Sequence, residues 1–172
     1  MTEVKKKGRG RPKGAPNKPV LKLITERTKL QNNADAYEIL CQAEIVAQDD
    51  VDKAAHGLKV FAERNASIKA ILNWIHNPLI SSTLPEGKTP FKGNDAPASD
   101  LAETSLRFEF KLFKYFVTNQ LPIVKREAMW IGMLEGIPAN EAMMIDLIKD
   151  GKNPFKNITK EIVQKAFPDI II

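Results

Sequence analysis

A run of basic residues near the amino terminus has the composition of a segment that contacts nucleic acid. Residues 5–19 are KKKGRGRPKGAPNKP, with seven Lys or Arg, three Gly, three Pro and no acidic residue. Arginine is drawn into the narrow, strongly negative minor groove of A·T-rich DNA. Glycine allows the backbone to approach the groove floor because it has no Cβ, proline directs the chain, and lysine meets phosphates. These residue types therefore predict contact with the minor groove.

The core of this run, GRGRP at residues 8–12, resembles an AT-hook, the short DNA-binding motif of high-mobility-group A chromatin proteins. The resemblance implies that Arg9 and Arg11 enter the groove, with Gly10 and Pro12 shaping the backbone. The lysines that would contact the phosphate backbone are Lys5, Lys6, Lys7 and Lys13. Minor-groove readout distinguishes little beyond A·T from G·C, so a single hook predicts tethering to DNA rather than recognition of one sequence. The alternative is a basic tail that binds anions generally.

The charge of the chain is divided between its amino terminus and the rest. Residues 1–31 contain ten Lys or Arg and two Glu, a net charge of +8, while the whole chain carries +5. The remaining 141 residues therefore sum to −3. This division predicts an anionic partner for the basic arm and something else for the body. The AT-hook resemblance implies that the anion is double-stranded A·T-rich DNA. The acidity of the body fits a protein partner better than a second DNA surface.

Composition divides the chain into three parts. Residues 1–19 have almost no apolar side chains, which predicts a disordered basic arm. Residues 20–32 are expected to form a linker or a short helix that docks on the body. From residue 33 to residue 172 the apolar residues recur every three to four positions, which is typical of helices. No strand–helix alternation or hairpin signal is present, so the sequence predicts one all-α domain of about six or seven short helices.

The helices are expected at residues 33–48, 49–64, 65–78, 99–119, 121–136, 137–151 and 157–168. The first two would be capped by Asn33 or Asp35 and by Asp49 or Asp50, and the last by Asn157 or Thr159. The segment 99–119 has apolar residues on most sides, which predicts a central helix capped by Ser99 or Asp100, with Glu103 completing a capping box. Gly136 and Gly151 are expected to follow helix ends as C′ residues. Residues 79–100 predict a long ordered loop, pinned by Leu84, Pro85, Pro90 and Phe91.

Residues suited to catalysis or metal binding are few. His56 and His76 lie twenty positions apart and are expected at the surface or as caps, and Cys41 lies in an apolar helical pattern that predicts a buried thiol. The aromatic residues could stack on bases, but their helical spacing favours the core: Trp74, Trp130, Phe108, Phe110, Phe113 and Phe116. We therefore expect no enzyme activity, cofactor, metal or small-molecule substrate. No apolar run has the length of a membrane span and no secretory signal is evident, so we expect an intracellular protein.

Residues 62–171 resemble a family of small proteins from T-even-like tailed bacteriophages. The segments that carry the resemblance are LPEGKTPFKGNDAP (84–97), KREAMWIGMLEGIPANEAMMIDLIKDG (125–151) and ITKEIVQKAFPDII (158–171). The resemblance implies a phage origin and a shared fold, but no activity. It places the protein in the cytoplasm of a host bacterium, where an AT-hook would associate it with the nucleoid.

Together these features predict a non-enzymatic DNA-binding accessory protein. The arm would hold A·T-rich DNA while the body contacts RNA polymerase, a replication protein or a nucleoid protein. The alternative is a protein–protein adaptor or virion component whose tail binds anions generally.

Overall fold

The fold of residues 20–94 and 101–172, which a computed structural model describes, is all-α. The predicted fold class is confirmed, since these residues contain no strand. The elements are α1 (Ala36–Ala47), α2 (Val51–Arg64), α3 (Ser67–His76), α4 (Leu106–Glu109), a 3₁₀ turn (Phe110–Leu112), α5 (Phe113–Phe116), α6 (Ile123–Gly136), α7 (Ala139–Lys149) and α8 (Lys160–Ala166). Because α4, the 3₁₀ turn and α5 follow one another directly, the described chain has seven helical segments.

Three predicted caps begin their helices. The Asp35 carboxylate accepts the backbone N–H of Glu38 at 2.8 Å, and Glu38 in turn accepts the N–H of Asp35 at 3.0 Å. This reciprocal pair is a capping box. Asp50 accepts the N–H of Lys53 at 2.9 Å at the start of α2, and Thr159 caps α8. Each local pattern of polar residue and apolar period therefore identified a helix start.

The prediction of one long helix over residues 99–119 is wrong, because α4 begins only at Leu106. Ser105 is extended, at φ −149° and ψ 166°, and Thr104 donates its N–H to the carbonyl of Gly136 at 3.1 Å. The preceding chain is thus held against the end of α6, and Glu103 is not in the first turn of α4. The proposed caps Ser99 and Asp100 lie outside the described residues.

The expectation that this segment is apolar on most sides and central to the core is only half right. Leu106, Phe113 and Phe116 are buried, but Phe108 is 64% exposed. The segment is interrupted by the 3₁₀ turn after Glu109, and one of its faces packs inward while the other faces solvent.

Four aromatic rings join α3, α5 and α6 at the centre of the core. Trp74 lies edge-to-face with Phe113 and with Trp130, at centroid distances of 5.1 and 6.1 Å, and Phe116 meets Trp130 at 4.9 Å. Such pairs each contribute about 0.5–1.5 kcal/mol beyond the burial of their area. Of the six aromatics predicted to be core residues, these four are confirmed. Phe110 is partly buried against the core, and the prediction is wrong for Phe108, which is exposed.

The two glycines at predicted helix ends have different roles. Gly151 follows α7 with φ +72° and donates to the carbonyl of Ile148 at 2.9 Å, as a C′ glycine does. Gly136 is the last residue of α6 and has no positive φ, so its predicted C′ role is wrong. A Cβ at this position would lie 3.3 Å from Thr104 Cγ2. Its small size therefore permits the close approach of the chain that leads into α4.

Candidate functional site

The residues predicted to bind DNA all lie outside the described residues, in the arm. They are Lys5, Lys6, Lys7, Arg9, Gly10, Arg11, Pro12 and Lys13. The first described residue after the arm is Val20, which is 76% exposed. The arm is therefore connected to the surface of the helical body.

The segment after the arm, residues 20–32, contains no helix and is held along α1 by hydrogen bonds. The buried Gln42 amide accepts the N–H of Thr28 at 3.0 Å and donates to the carbonyl of Glu26 at 2.9 Å. The Tyr37 hydroxyl donates to the carbonyl of Lys22. Four side chains of the segment also pack against the core: Leu21, Leu23, Ile24 and Leu30. We call residues 20–32 the docked linker, because both its backbone and its apolar side chains contact the body.

The loop after α3 is ordered by a buried lysine. Lys149 Nζ, at the end of α7, donates to the carbonyls of Pro85 and Gly87 at 2.9 and 3.0 Å and to the carboxylate of Asp150 at 2.5 Å. Gly87 has φ +97° and donates its N–H to the same carboxylate at 3.2 Å. A buried ammonium requires several acceptors of this kind, so Lys149 and residues 85–87 hold each other in place.

A second set of contacts fixes the following residues of this loop. Asp146 accepts the N–H of Thr89 at 3.0 Å and also its hydroxyl. The Thr89 hydroxyl in turn accepts the indole N–H of Trp130 at 3.0 Å. Leu84 is buried and Phe91 packs against the core, whereas Pro85 and Pro90 are exposed. Polar contacts to α6 and α7, rather than the two prolines, therefore pin the loop.

A cavity of about 500 Å³ beside this loop is lined by both polar and apolar side chains. His76 lies in its wall with a buried Nε2 that has no partner among the described residues. Burial lowers the pKa of His76, and the positive charge of Lys160 lowers it further. Both effects favour the neutral imidazole. The other predicted candidates do not join it, since His56 is exposed on α2 and Cys41 is fully buried on α1. Burial also raises the pKa of the Cys41 thiol, which favours an inert group.

Nowhere in residues 20–94 or 101–172 do three or more His, Cys, Asp or Glu side chains come together as metal ligands. Two acidic residues at the start of α2 make different contacts and do not form a shared site. Asp50 caps the helix, and Asp52 forms an exposed ion pair with Lys165 on α8. None of the helices in the described ranges combines the length and apolar character of a membrane span.

A buried glutamate side chain on α7 joins the beginnings of two other helices. Glu141 accepts the N–H of Ala36 at the start of α1 and that of Leu106 at the start of α4, both at 2.9 Å. These N–H groups have no acceptor within their own helices. Burial raises the pKa of Glu141 to about 8, and the nearby charge of Asp35 adds to this, while the two hydrogen bonds oppose it. One side chain thus satisfies two helix ends that lie far apart in sequence.

Asp35 provides a pH-dependence that can be measured. Burial raises its pKa to about 6 against the opposing hydrogen bond from Glu38. A carboxyl group whose pKa is higher in the folded protein stabilises the fold below its unfolded pKa, and this contribution is lost as the pH rises through the folded pKa. We therefore expect the free energy of unfolding to fall between pH 4 and pH 7, by on the order of 2 kcal/mol for this group. Urea unfolding at several pH values measures this slope.

Asp35→Asn is the informative variant, because asparagine is an equally good N-cap but does not titrate in this range. Its unfolding free energy should depend less steeply on pH than that of the wild type. A slope in Asp35→Asn that is as steep as that of the wild type, or steeper, contradicts this assignment.

The described structure defines the protein as a compact all-α body with a linker docked along its first helix. Residues 46–153 match a family of unknown function (DUF6433). Because the match covers more than half of the chain, the protein belongs to this family. No curated protein and no solved structure matches the chain.

The matched residues include two of the segments that suggested the phage resemblance, 84–97 and 125–151, but not 158–171. They also include the ordered loop and the α7 residues Glu141, Asp146 and Lys149. The basic arm and the docked linker lie outside the match. The family membership therefore concerns the body, and the phage origin remains a prediction.

Sequence patterns did not predict that buried polar residues of α7 would hold other parts of the fold in place. A signal for them exists in α7, where the apolar run of ANEAMMIDLIK is interrupted by Glu141, Asp146 and Lys149. Charged residues on a buried helix face are rare unless they are paired. Such interruptions therefore indicate a polar partner from elsewhere in the fold.

Proposed function

We propose that this protein is a non-enzymatic bacteriophage DNA-binding accessory protein. Its AT-hook arm holds A·T-rich duplex DNA, and its helical body contacts a protein of the transcription, replication or nucleoid machinery of the host bacterium. The observation that carries the proposal is the core Arg9–Gly10–Arg11–Pro12 with lysines on both sides. This set combines groove-seeking arginine, close backbone approach and phosphate contacts in one short segment.

The body contributes two further points of support. The exposed side chains of Lys22, Arg27 and Lys29 continue the positive charge of the arm along the docked linker. The rest of the chain has a net charge of −3, which disfavours a second extended DNA surface and favours a protein partner. The docked linker gives the arm a fixed point of attachment, so that DNA held by the arm stays close to the body.

The mechanism of such a protein is an increase in local concentration. Once the arm holds DNA, the body meets a partner on the same DNA at an effective concentration in the millimolar range. Binding of that partner is then effectively intramolecular. Neither contact then needs high affinity alone, which suits a single AT-hook. The second candidate is a protein–protein adaptor or virion component whose arm binds any anion, and the arm's charge alone is enough to support it.

Removal of residues 1–19 tests whether the arm, rather than the helical body, binds DNA. The chain 20–172 keeps the docked linker, whose contacts with Gln42 and Tyr37 belong to the body. We expect it to lose nearly all affinity for an A·T-rich duplex in fluorescence anisotropy, because the groove-binding residues are gone. Circular dichroism and a melting curve serve as the control for folding. If folded 20–172 binds the duplex as well as the full chain, the body binds DNA and the proposal is wrong.

A further inference from the structure

A groove of about 370 Å³ runs between the docked linker, α1 and α2. Its floor is apolar and is formed by Leu30 of the linker, Ile39 and Val46 of α1, and Leu58 and Phe61 of α2. Leu30, Val46 and Phe61 are only partly buried, so they retain apolar surface that no described residue covers. We call this the linker groove. It exists only because the linker is docked, since residues 27–30 form one of its walls.

The rim of the linker groove is positively charged. Arg27, Lys29 and Lys53 line it, and no Asp or Glu is among its described lining residues. All three are exposed, and none of their side chains forms an ion pair with another described residue. This local charge is opposite in sign to the net charge of residues 32–172. The rim therefore offers three cations above an apolar floor on an otherwise acidic body.

We propose that the linker groove binds an acidic amphipathic helical segment of a partner protein. This inference rests on the proposed function and names the chemistry of the partner that the body contacts. Apolar side chains at helical spacing would fill the floor, and flanking Asp or Glu residues would meet the rim cations. The groove volume is at the lower end of the range for ligand sites, which suits a few side chains from one or two helical turns. A phosphodiester backbone would satisfy the cations but leave the apolar floor uncovered.

Gly57 provides a way to close the groove without disturbing the fold. It lies in the interior of α2 and lines the groove, and a Cβ at this position meets no described atom within 4 Å. Glycine is a poor helix former, so a larger residue here should maintain or increase helix stability. Gly57→Leu is therefore expected to fold as the wild type does while its side chain occupies the groove.

The experiment is a selection of displayed random 12-residue peptides on the full chain, with counter-selection on Gly57→Leu. We expect the retained peptides to be rich in acidic residues and to carry large apolar residues at helical spacing. Fluorescence anisotropy with a selected, labelled peptide should show at least about tenfold weaker binding to Gly57→Leu. The triple variant Arg27→Ala, Lys29→Ala, Lys53→Ala should lose affinity by about tenfold, since each exposed ion pair contributes modestly.

The matched control for charge is Lys111→Ala, Lys125→Ala, Lys156→Ala, which removes three exposed cations distant in sequence from the groove. It should bind the selected peptide within about threefold of the wild type. If no peptide distinguishes the wild type from folded Gly57→Leu, or if the selected peptides show no acidic enrichment, the proposal is overturned. If Gly57→Leu, which fills the groove without removing a charge, instead weakens binding of a DNA duplex, the groove is a nucleic-acid surface and the proposal is also overturned.

The peptide and DNA assays separate this inference from the proposed function. Arg9→Ala with Arg11→Ala should leave peptide binding unchanged, because the arm is not part of the groove. Failure of the arm to prefer A·T-rich DNA would contradict the proposed function and leave the peptide result standing. Failure of the groove tests alone would leave the DNA-binding arm standing.

Discussion

Glu141→Ala should lower the free energy of unfolding by about 2–6 kcal/mol. The variant leaves the backbone N–H groups of Ala36 and Leu106 without their acceptor, and each buried unsatisfied donor costs about 1–3 kcal/mol. The loss is large relative to the about 5–15 kcal/mol that stabilises most domains. Urea unfolding followed by circular dichroism at pH 7 measures it.

Two further variants make this prediction specific. Glu63→Ala removes an exposed acid from α2 and should change the unfolding free energy by no more than about 0.5 kcal/mol. Glu141→Gln keeps one acceptor oxygen but places an amide N–H₂ against the other backbone donor, so its stability should lie between those of the wild type and Glu141→Ala. A loss in Glu141→Ala no larger than that in Glu63→Ala would show that the two helix starts do not depend on the Glu141 side chain.

Arg9→Ala combined with Arg11→Ala should weaken binding to an A·T-rich duplex by roughly 10- to 100-fold, equivalent to about 1–3 kcal/mol. The resemblance to an AT-hook assigns these two arginines to the groove, while the lysines around them contact phosphates. The variant should therefore retain weak, salt-dependent binding but lose its base-pair preference. Anisotropy titrations at one fixed salt concentration measure both quantities.

The control for this double variant must remove the same charge from elsewhere. Lys111→Ala with Lys156→Ala removes two exposed cations from the helical body and should change the affinity by less than about threefold. If the two double variants weaken binding equally, the arm acts through its net charge, and the alternative of a generic anion-binding tail is correct.

Local sequence patterns correctly predicted those features of the fold that depend on interactions between residues close in sequence. The apolar period identified α1, α2 and α3, and the caps Asp35 and Asp50 follow from side chains that bond N–H groups three residues away. The left-handed Gly151 likewise follows from the geometry of a helix end. Each of these features depends on residues within one or two turns, so one stretch of sequence contains the whole cause.

The predicted start of the helix at residue 99 was wrong because the contacts that determine the start of α4 come from residues distant in sequence. Thr104 bonds to Gly136, and the first N–H of α4 bonds to Glu141, 35 residues further along the chain. No local signal distinguishes these contacts from a capping box at Ser99 or Asp100. Tertiary contacts decided where the helix begins, as they commonly do when local preference is weak.

The ordered loop and the docked linker also depend on long-range partners. Lys149 holds residues 85–87 from more than 60 positions away, and Gln42 holds residues 26 and 28 from α1. The sequence predicted an ordered loop, but it assigned the pinning to apolar and proline residues of the loop itself. It also left residues 20–32 open between a linker and a short docking helix, because the side chains that hold them, Gln42 and Tyr37, belong to α1.

The A·T preference of the full-length protein tests the central proposal most directly. Two labelled duplexes of equal length, one A·T-rich and one G·C-rich, are titrated with the wild type at the same salt concentration. Our account predicts clearly tighter binding to the A·T-rich duplex, because Arg9 and Arg11 favour its narrow minor groove. Equal affinity for the two duplexes would contradict the AT-hook and leave a basic tail without base-pair preference.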